Sequence, residues 1–241
     1  MEPTRPAAGN RVRASIEELA GRLISRPLGG VHKRVFYPSL RIPDSSGMRD
    51  RTYLIIHGWQ ASGPGHWQTW LADRLRAANE TVLYPLLPNP DTPVLKEWIE
   101  ALHFHVSQMT GEKIVVCHSL GAVTWFHYAT TDPAMPVDRL LLVAPPCPPA
   151  LARIPELQGF APVPLDAGAL ARSARHCRMV CSSRDEYCQE SAALAYAGPL
   201  NIEGEILPSQ AGHINIASGF GPWPQVEKWC YDPTVRFVDG L

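Results

Sequence analysis

Lys113-Ile114-Val115-Val116-Cys117-His118-Ser119-Leu120-Gly121-Ala122-Val123-Thr124-Trp125-Phe126 carries the decisive reading of the chain. Lys113 to Cys117 is a short apolar run rich in β-branched residues, the signature of a buried strand. Beyond Gly121, the run from Ala122 to Ala129 holds neither Pro nor Gly and can continue as a helix. His118-Ser119-Leu120-Gly121 leaves room only for a sharp strand-to-helix elbow. A serine on such a turn holds its hydroxyl exposed at the end of a strand, and the Leu120 N–H faces whatever approaches it. This is a nucleophile elbow of the G-x-S-x-G kind, with Cys117 in place of the first glycine. That position has to be small because strand and helix cross closely there, and cysteine is only moderately larger than alanine. Cys117 lies within the strand end and is expected to point inward, which leaves Ser119 as the candidate nucleophile.

Working outward, strands and helices alternate. Thr52 to Ile56 is an apolar strand bounded by His57-Gly58-Trp59, and Trp67, Trp70, Leu71, Leu75 and Ala78 form a helical stripe. Thr81 to Tyr84 is a strand closed by a proline-rich turn. Val94, Leu95, Trp98, Ile99, Leu102, Val106 and Met109 predict a second amphipathic helix of about five turns. Strands follow at Arg139 to Ala144, His176 to Ser182 and Gly204 to Leu207, with a helix over Tyr187 to Tyr196 and another in the tail containing Trp223 and Trp229. Residues 145–165 are rich in proline and fit no single element. The alternation predicts one α/β domain over residues 51–241, with a mostly parallel sheet covered on both faces.

Residues 1–50 differ in character. Residues 1–51 hold ten Lys/Arg against five Asp/Glu, leaving twelve against eighteen in the remainder. This basic N-terminal extension is expected to be partly disordered. Ile16, Leu19, Ala20, Leu23 and Ile24 nevertheless share one helical face, so a short helix over 15–25 is predicted, with an isolated strand at 35–37. An organelle-targeting role for the segment is weakened by Glu17 and Glu18.

The net charge of −1 argues against nucleic acid as a partner. No run approaches the roughly 20 apolar residues that span a bilayer. Six cysteines without C-x-x-C spacing are simplest as free thiols in a cytoplasmic setting. No H-E-x-x-H and no Cys/His cluster at zinc spacing is present, so neither metal nor cofactor is expected.

A serine hydroxyl needs a base, usually a histidine oriented by a carboxylate. In an open α/β sheet such groups lie beyond the C-terminal ends of strands. Asp185 directly follows the strand ending near Ser182, although in isolation a helix N-cap before Tyr187 is the favoured reading of it. Asp166 and the adjacent Glu186 stand in reserve. His213, in Gln-Ala-Gly-His-Ile-Asn after the last strand, can swing over the elbow. The order Ser119, Asp185, His213 is the one expected of α/β-hydrolases. Leu120 N–H is one oxyanion donor by position, and Trp59 N–H is the expected second. His57, Phe160 and Trp223 are candidates to line the substrate site.

At these residues the chain resembles a known family. His57-Gly-Trp-Gln-Ala-Ser-Gly-Pro-Gly-His-Trp67, His118-Ser-Leu-Gly121, Ala144-Pro-Pro146, Ser183-Arg-Asp185 and Gly212-His-Ile-Asn-Ile-Ala-Ser-Gly-Phe-Gly221 look like the small serine hydrolases related to retinoblastoma-binding protein 9. The likeness covers roughly residues 51–232. It implies an α/β-hydrolase fold and the triad Ser119, Asp185 and His213, and leaves the substrate open. The Leu-x-Cys-x-Glu motif of the animal namesake has as its nearest match Glu186-Tyr-Cys188-Gln-Glu190, with Glu in place of Leu, so retinoblastoma binding is not expected.

The leading expectation is a serine hydrolase cleaving a small ester or amide through an acyl-enzyme. With 66 positions between Ser119 and Asp185, little room is left for a large cap. The alternatives are a non-catalytic interaction module on a hydrolase fold, docking through the basic extension, and an acyltransferase using the same triad.

Overall fold

Successive residues of each central strand face two different cores. Tyr53, Ile55, Ile114, Val116, Leu141 and Val143 belong to one buried cluster. Leu54, Ile56, Val115, Cys117, Leu140 and Leu142 belong to the other. A sheet buried on both faces needs this period-two division with apolar residues in both phases. The computed structural model describes residues 50–132 and 134–240. The helix expected at 15–25 and the strand expected at 35–37 lie outside them.

The strands are β1 (Arg51–Ile56), β2 (Thr81–Leu83), β3 (Glu112–His118), β4 (Val137–Val143), β5 (Ala174–Ser182) and β6 (Glu203–Leu207). They form one sheet in the order β2-β1-β3-β4-β5-β6, with every neighbouring pair parallel. One face is covered by α1 (Trp67–Ala77) and α7 (Pro224–Tyr231), which place Trp67, Leu71, Leu75, Val226 and Trp229 in their core. The other carries α2 (Leu95–Ser107), α3 (Leu120–Ala129), α5 (Ala167–Ser173) and α6 (Glu190–Leu200), with Trp98, Trp125, Leu170 and Tyr196 buried there.

Three boundaries differ from the expectation. The second amphipathic helix has 13 residues, about three and a half turns rather than five. Val94 serves as its N-cap, and Met109 packs below the end of the helix after the chain has turned. The expected helix over 187–196 begins only at Glu190, because the preceding residues form a hydrogen-bonded loop around Asp185. The proline-rich stretch is a chain of short pieces: α4 (Pro148–Arg153), a 3-10 turn (Pro155–Phe160) and α5. These make a connection and a rim, and among the described residues no large cap stands over the sheet.

After β1 the chain steps to one side to form β2, then returns to place β3 on β1's other flank. The loops leaving β1 and β3 therefore part at a topological switch point, where open α/β sheets form their crevices. Ser119 directly follows β3, and Gly58 lies just beyond β1.

Among the described residues Asp50 is the first to bond to the sheet, its carbonyl accepting the Glu112 N–H at 2.8 Å. We expect a fragment beginning at Met48 to be soluble and to unfold in one cooperative transition by circular dichroism. An insoluble or non-cooperative fragment would place part of the core upstream.

Candidate active site

Ser119 joins β3 to α3 with φ 54° and ψ −124°. A non-glycine residue here costs about 1–3 kcal/mol and persists only where its surroundings impose it. The Ser119 N–H donates to Val143 O at 2.8 Å, tying the turn to the end of β4. A Cβ built on Gly121 would stand 2.6 Å from the His57 carbonyl oxygen, so only glycine lets α3 start this close to β1. Cys117, in the place of the elbow's first glycine, is sealed in the core, and burial pushes its thiol well above the ordinary value.

Three loops bring the expected side chains together. Ser119 Oγ lies 2.9 Å from His213 Nε2, and His213 Nδ1 lies 2.8 Å from Asp185 Oδ2 and 3.0 Å from Oδ1. A carboxylate can only accept, which puts the His213 proton on Nδ1 and leaves Nε2 to accept from the serine. His213 and Asp185 are both buried. Asp185 Oδ1 also accepts the Tyr187 N–H at 2.8 Å, so the local turn and the histidine contact coexist on one carboxylate. Asp166 is occupied elsewhere as the N-cap of α5.

Around His213 stand residues that sequence reasoning did not single out. The Tyr187 ring lies 4.5 Å from the imidazole, centroid to centroid, and the His118 ring 5.1 Å. His118 Nε2–H donates to His213 O at 3.0 Å and so holds the loop that presents the imidazole. Trp67 Nε1–H donates to Ile214 O at 2.8 Å. His66 and Trp67 belong to the block quoted above, but nothing in their spacing told that the block would fold back against the His213 loop.

The loop after β1 passes against Ser119: a Cβ on Gly58 would lie 2.7 Å from Ser119 Cβ and 3.2 Å from its Oγ. Trp59, the next residue on this loop, lines the cleft together with Ser119. Among the described residues neither the Trp59 nor the Leu120 N–H meets an acceptor, leaving both available as donors. Buried Gln68 braces this loop, donating to Ile56 O and accepting from Ser62 Oγ, each at 2.8 Å.

A cleft of about 310 Å³ opens over Ser119, lined among others by Trp59, His66, Pro146, Leu157, Tyr187 and Ile216. Three residues expected to line it do not. His57 is buried, with Nε2 accepting the Leu87 N–H at 2.8 Å and Nδ1–H donating to Gly58 O at 2.7 Å. It fastens the loop after β2 to the sheet. Phe160 packs edge-on against Trp98 in the core, and Leu157 of the same 3-10 turn reaches the cleft instead. Trp223 is packed against Trp67, Phe220 and Phe237. A cleft of about 380 Å³ at the opposite end of β5 and β6, near Arg175 and Asn201, lies away from Ser119. Among the described residues no cluster of His, Cys, Asp or Glu is arranged to hold a metal ion, and no helix is long and apolar enough to cross a membrane.

Around the elbow, burial holds three imidazoles below their ordinary value of 6.5. His57 and His118 are lowered, and His66 falls to about 4, with His213 as a second cause.

A family of proteins described as serine hydrolases has a sequence profile that matches residues 53–231. YdeN of Bacillus subtilis (strain 168), named as a hydrolase, is 37% identical over 67 residues, covering 28% of this chain. The match spans only 35% of YdeN's own length. The YdeN crystal structure superposes with a TM-score of 0.67 at 24% identity, over 75% of this chain and 97% of that one. A protein from Pectobacterium atrosepticum, named as YdeN-like, gives 0.58 at 23% identity over 73% and 86%. The esterase domain of a Rhodothermus marinus protein gives 0.56 at 15% identity over 77% and 88%. These structural likenesses establish the fold.

Two outcomes are expected. Glycine accommodates φ 54° at no steric cost, so Ser119→Gly should be more stable than Ser119→Ala by about 1 kcal/mol in urea titration. Equal stabilities would show that the elbow is unstrained. With their values lowered, His57, His66 and His118 stay neutral in the folded protein, whereas the same residues in the unfolded chain take up protons below about 6.5. Their contribution is therefore present above that pH and is lost as pH falls towards about 4. The thermal midpoint should drop between pH 7 and pH 5, above the ordinary carboxylate range, and a flat midpoint there would refute it.

Proposed function

The chain belongs to the serine hydrolase family, and on that premise we propose that it cleaves a small ester or amide through an acyl-enzyme on Ser119. The observation that carries this reading is the unbroken line from Ser119 Oγ through His213 to Asp185, at 2.9 and 2.8 Å. His213 Nε2 takes the hydroxyl proton as Oγ attacks the carbonyl carbon. The tetrahedral oxyanion accepts from the Leu120 and Trp59 N–H groups, each such donor worth about 10²–10³ in rate. The intermediate collapses with loss of an alcohol or amine, which leaves with the proton His213 carries. Water then enters, gives a proton to Nε2, and its oxygen attacks the acyl carbon; collapse returns the proton to Ser119 and frees the acid. Asp185 holds the Nδ1–H tautomer and supports the transient imidazolium.

The size of the cleft favours short acyl groups, since about 310 Å³ is at the lower end of small-molecule sites. Within the family, kinship with the proteins related to retinoblastoma-binding protein 9 is supported by the His57 to Trp67 and Gly212 to Gly221 blocks. Residues 51–241 are the catalytic unit in this reading, acting in the cytoplasm without a cofactor.

Intact mass after exposure to a fluorophosphonate tests the proposal. Wild type should gain one adduct, and Ser119→Ala and His213→Ala none. Turnover of p-nitrophenyl acetate by Ser119→Ala should fall by roughly 10⁴–10⁶. Absence of an adduct on folded wild type would favour a non-catalytic interaction module instead.

A further inference from the structure

The residues lining the cleft include no Lys, Arg, Asp or Glu. Outside the triad its polar side chains are Trp59, whose Nε1–H is spent on Asp91 O at 2.9 Å, Gln60, His66, His118, Tyr187 and Asn215. His118 spends its ring donor on His213 O, and the Asn215 side-chain oxygen accepts from Ser218. Gln60 is exposed. His66 is different: its residue is 5% exposed, and its ring is held between Trp67 and His118 at 5.5 and 5.1 Å. Its Nδ1 accepts the Gln68 N–H at 3.1 Å as the N-cap of α1. With Nδ1 used as an acceptor, the neutral ring carries its proton on Nε2. Among the described residues that Nε2–H has no acceptor.

Resting on the serine hydrolase reading, we propose that His66 is the specificity-determining donor of this site. Its Nε2–H binds an uncharged oxygen of the substrate. The favoured substrates are then neutral esters or amides carrying a second oxygen acceptor, such as an ether, hydroxyl or further carbonyl, close to the scissile bond.

Three features keep His66 a donor rather than a cation. It is buried, it caps the positive end of a helix dipole, and it neighbours the imidazole that becomes charged during turnover. A neutral donor selects by hydrogen bonding alone. A purely alkyl acyl group would shield Nε2–H from water without pairing it, the arrangement by which polar sites reject apolar analogues. A carboxylate-bearing substrate would be desolvated in a cleft that offers no cation.

The test is a matched pair of esters, p-nitrophenyl methoxyacetate and p-nitrophenyl butyrate, which differ by one ether oxygen in place of a methylene. The ratio of their kcat/KM values is compared between wild type and variants, so their intrinsic reactivities cancel. His66→Asn keeps a good N-cap but withdraws the reaching donor. His66→Gln returns an N–H near the Nε2 position and caps poorly. The methoxyacetate preference should fall about fivefold in His66→Asn, with the thermal midpoint held, and should recover in His66→Gln despite a lower midpoint. An unmoved ratio in His66→Asn, a ratio that drops only in the destabilised Gln variant, or a labelled wild type that leaves the methoxyacetate intact would each overturn the assignment. A wild type that takes up no fluorophosphonate would bring down the hydrolase reading with it, which separates the two failures.

Discussion

The backbone leaving β1 runs against the Ser119 elbow with no side chain between them, since even a methyl group on Gly58 would lie 2.7 Å from Ser119 Cβ. Gly121 imposes the same closeness from the helix side, against His57 O. Between these two contacts the serine can only leave β3 through a left-handed turn, with its N–H directed to Val143 O. The strain at Ser119 follows from where its neighbours are pinned, and those neighbours are pinned by the core. Gln68 and His57 extend the bracing outward, to Ile56 and Ser62 on one side and Leu87 on the other. The proposed oxyanion hole of backbone amides would be only as well placed as the backbone that carries it, and on that reading much of the polar network near the elbow serves position rather than chemistry.

The electrostatics of the cleft follow from burial. Three histidines, 66, 118 and 213, lie in a row with neighbouring ring centroids 5.1 Å apart. Two cations at that spacing in a partly dry site would repel strongly. Burial keeps His66 and His118 neutral, so in the proposed mechanism a charge forming on His213 would meet the Asp185 carboxylate without a competing cation beside it. His118 instead contributes a directed N–H to the backbone of His213. It lends a dipole where a charge would be costly.

How much of this was legible in the sequence depends on the kind of signal. Short continuous apolar runs, with Ser119 at the end of one of them, carried the reading of the strands and elbow, because strand burial on both faces leaves a continuous apolar stretch. Asp185 and His213 followed from chain order and their places beyond strand ends. The misplaced lining residues share one cause. His57, Phe160 and Trp223 lie in suggestive stretches, yet sequence does not tell which way a side chain turns from an irregular loop. His57 turns inward to the Leu87 amide, Phe160 to Trp98, and Trp223 into an aromatic group with Trp67. Leu157 and Tyr187, which do reach the cleft, look like ordinary core residues in the sequence. The late start of α6 was hidden for a related reason, because the Asp185 turn consumes residues that have adequate helix propensity.

Asp185 shows why two readings of one residue need not compete. A carboxylate offers about four acceptor sites on two oxygens. Oδ1 takes the Tyr187 N–H at 2.8 Å, a local bond that any turn-forming aspartate can make. That bond fixes the rotation of the carboxylate and leaves Oδ2 facing His213 Nδ1 at 2.8 Å. The same turn carries Tyr187 to within 4.5 Å of the His213 ring and sends the Tyr187 carbonyl to the Cys147 N–H at 3.0 Å, beside the loop that follows β4. The capping contact is thus the means by which a short loop orients its carboxylate. Losing the Oδ1 bond would free the group to rotate and cost the Oδ2 geometry, even though Tyr187 N–H touches no reacting atom.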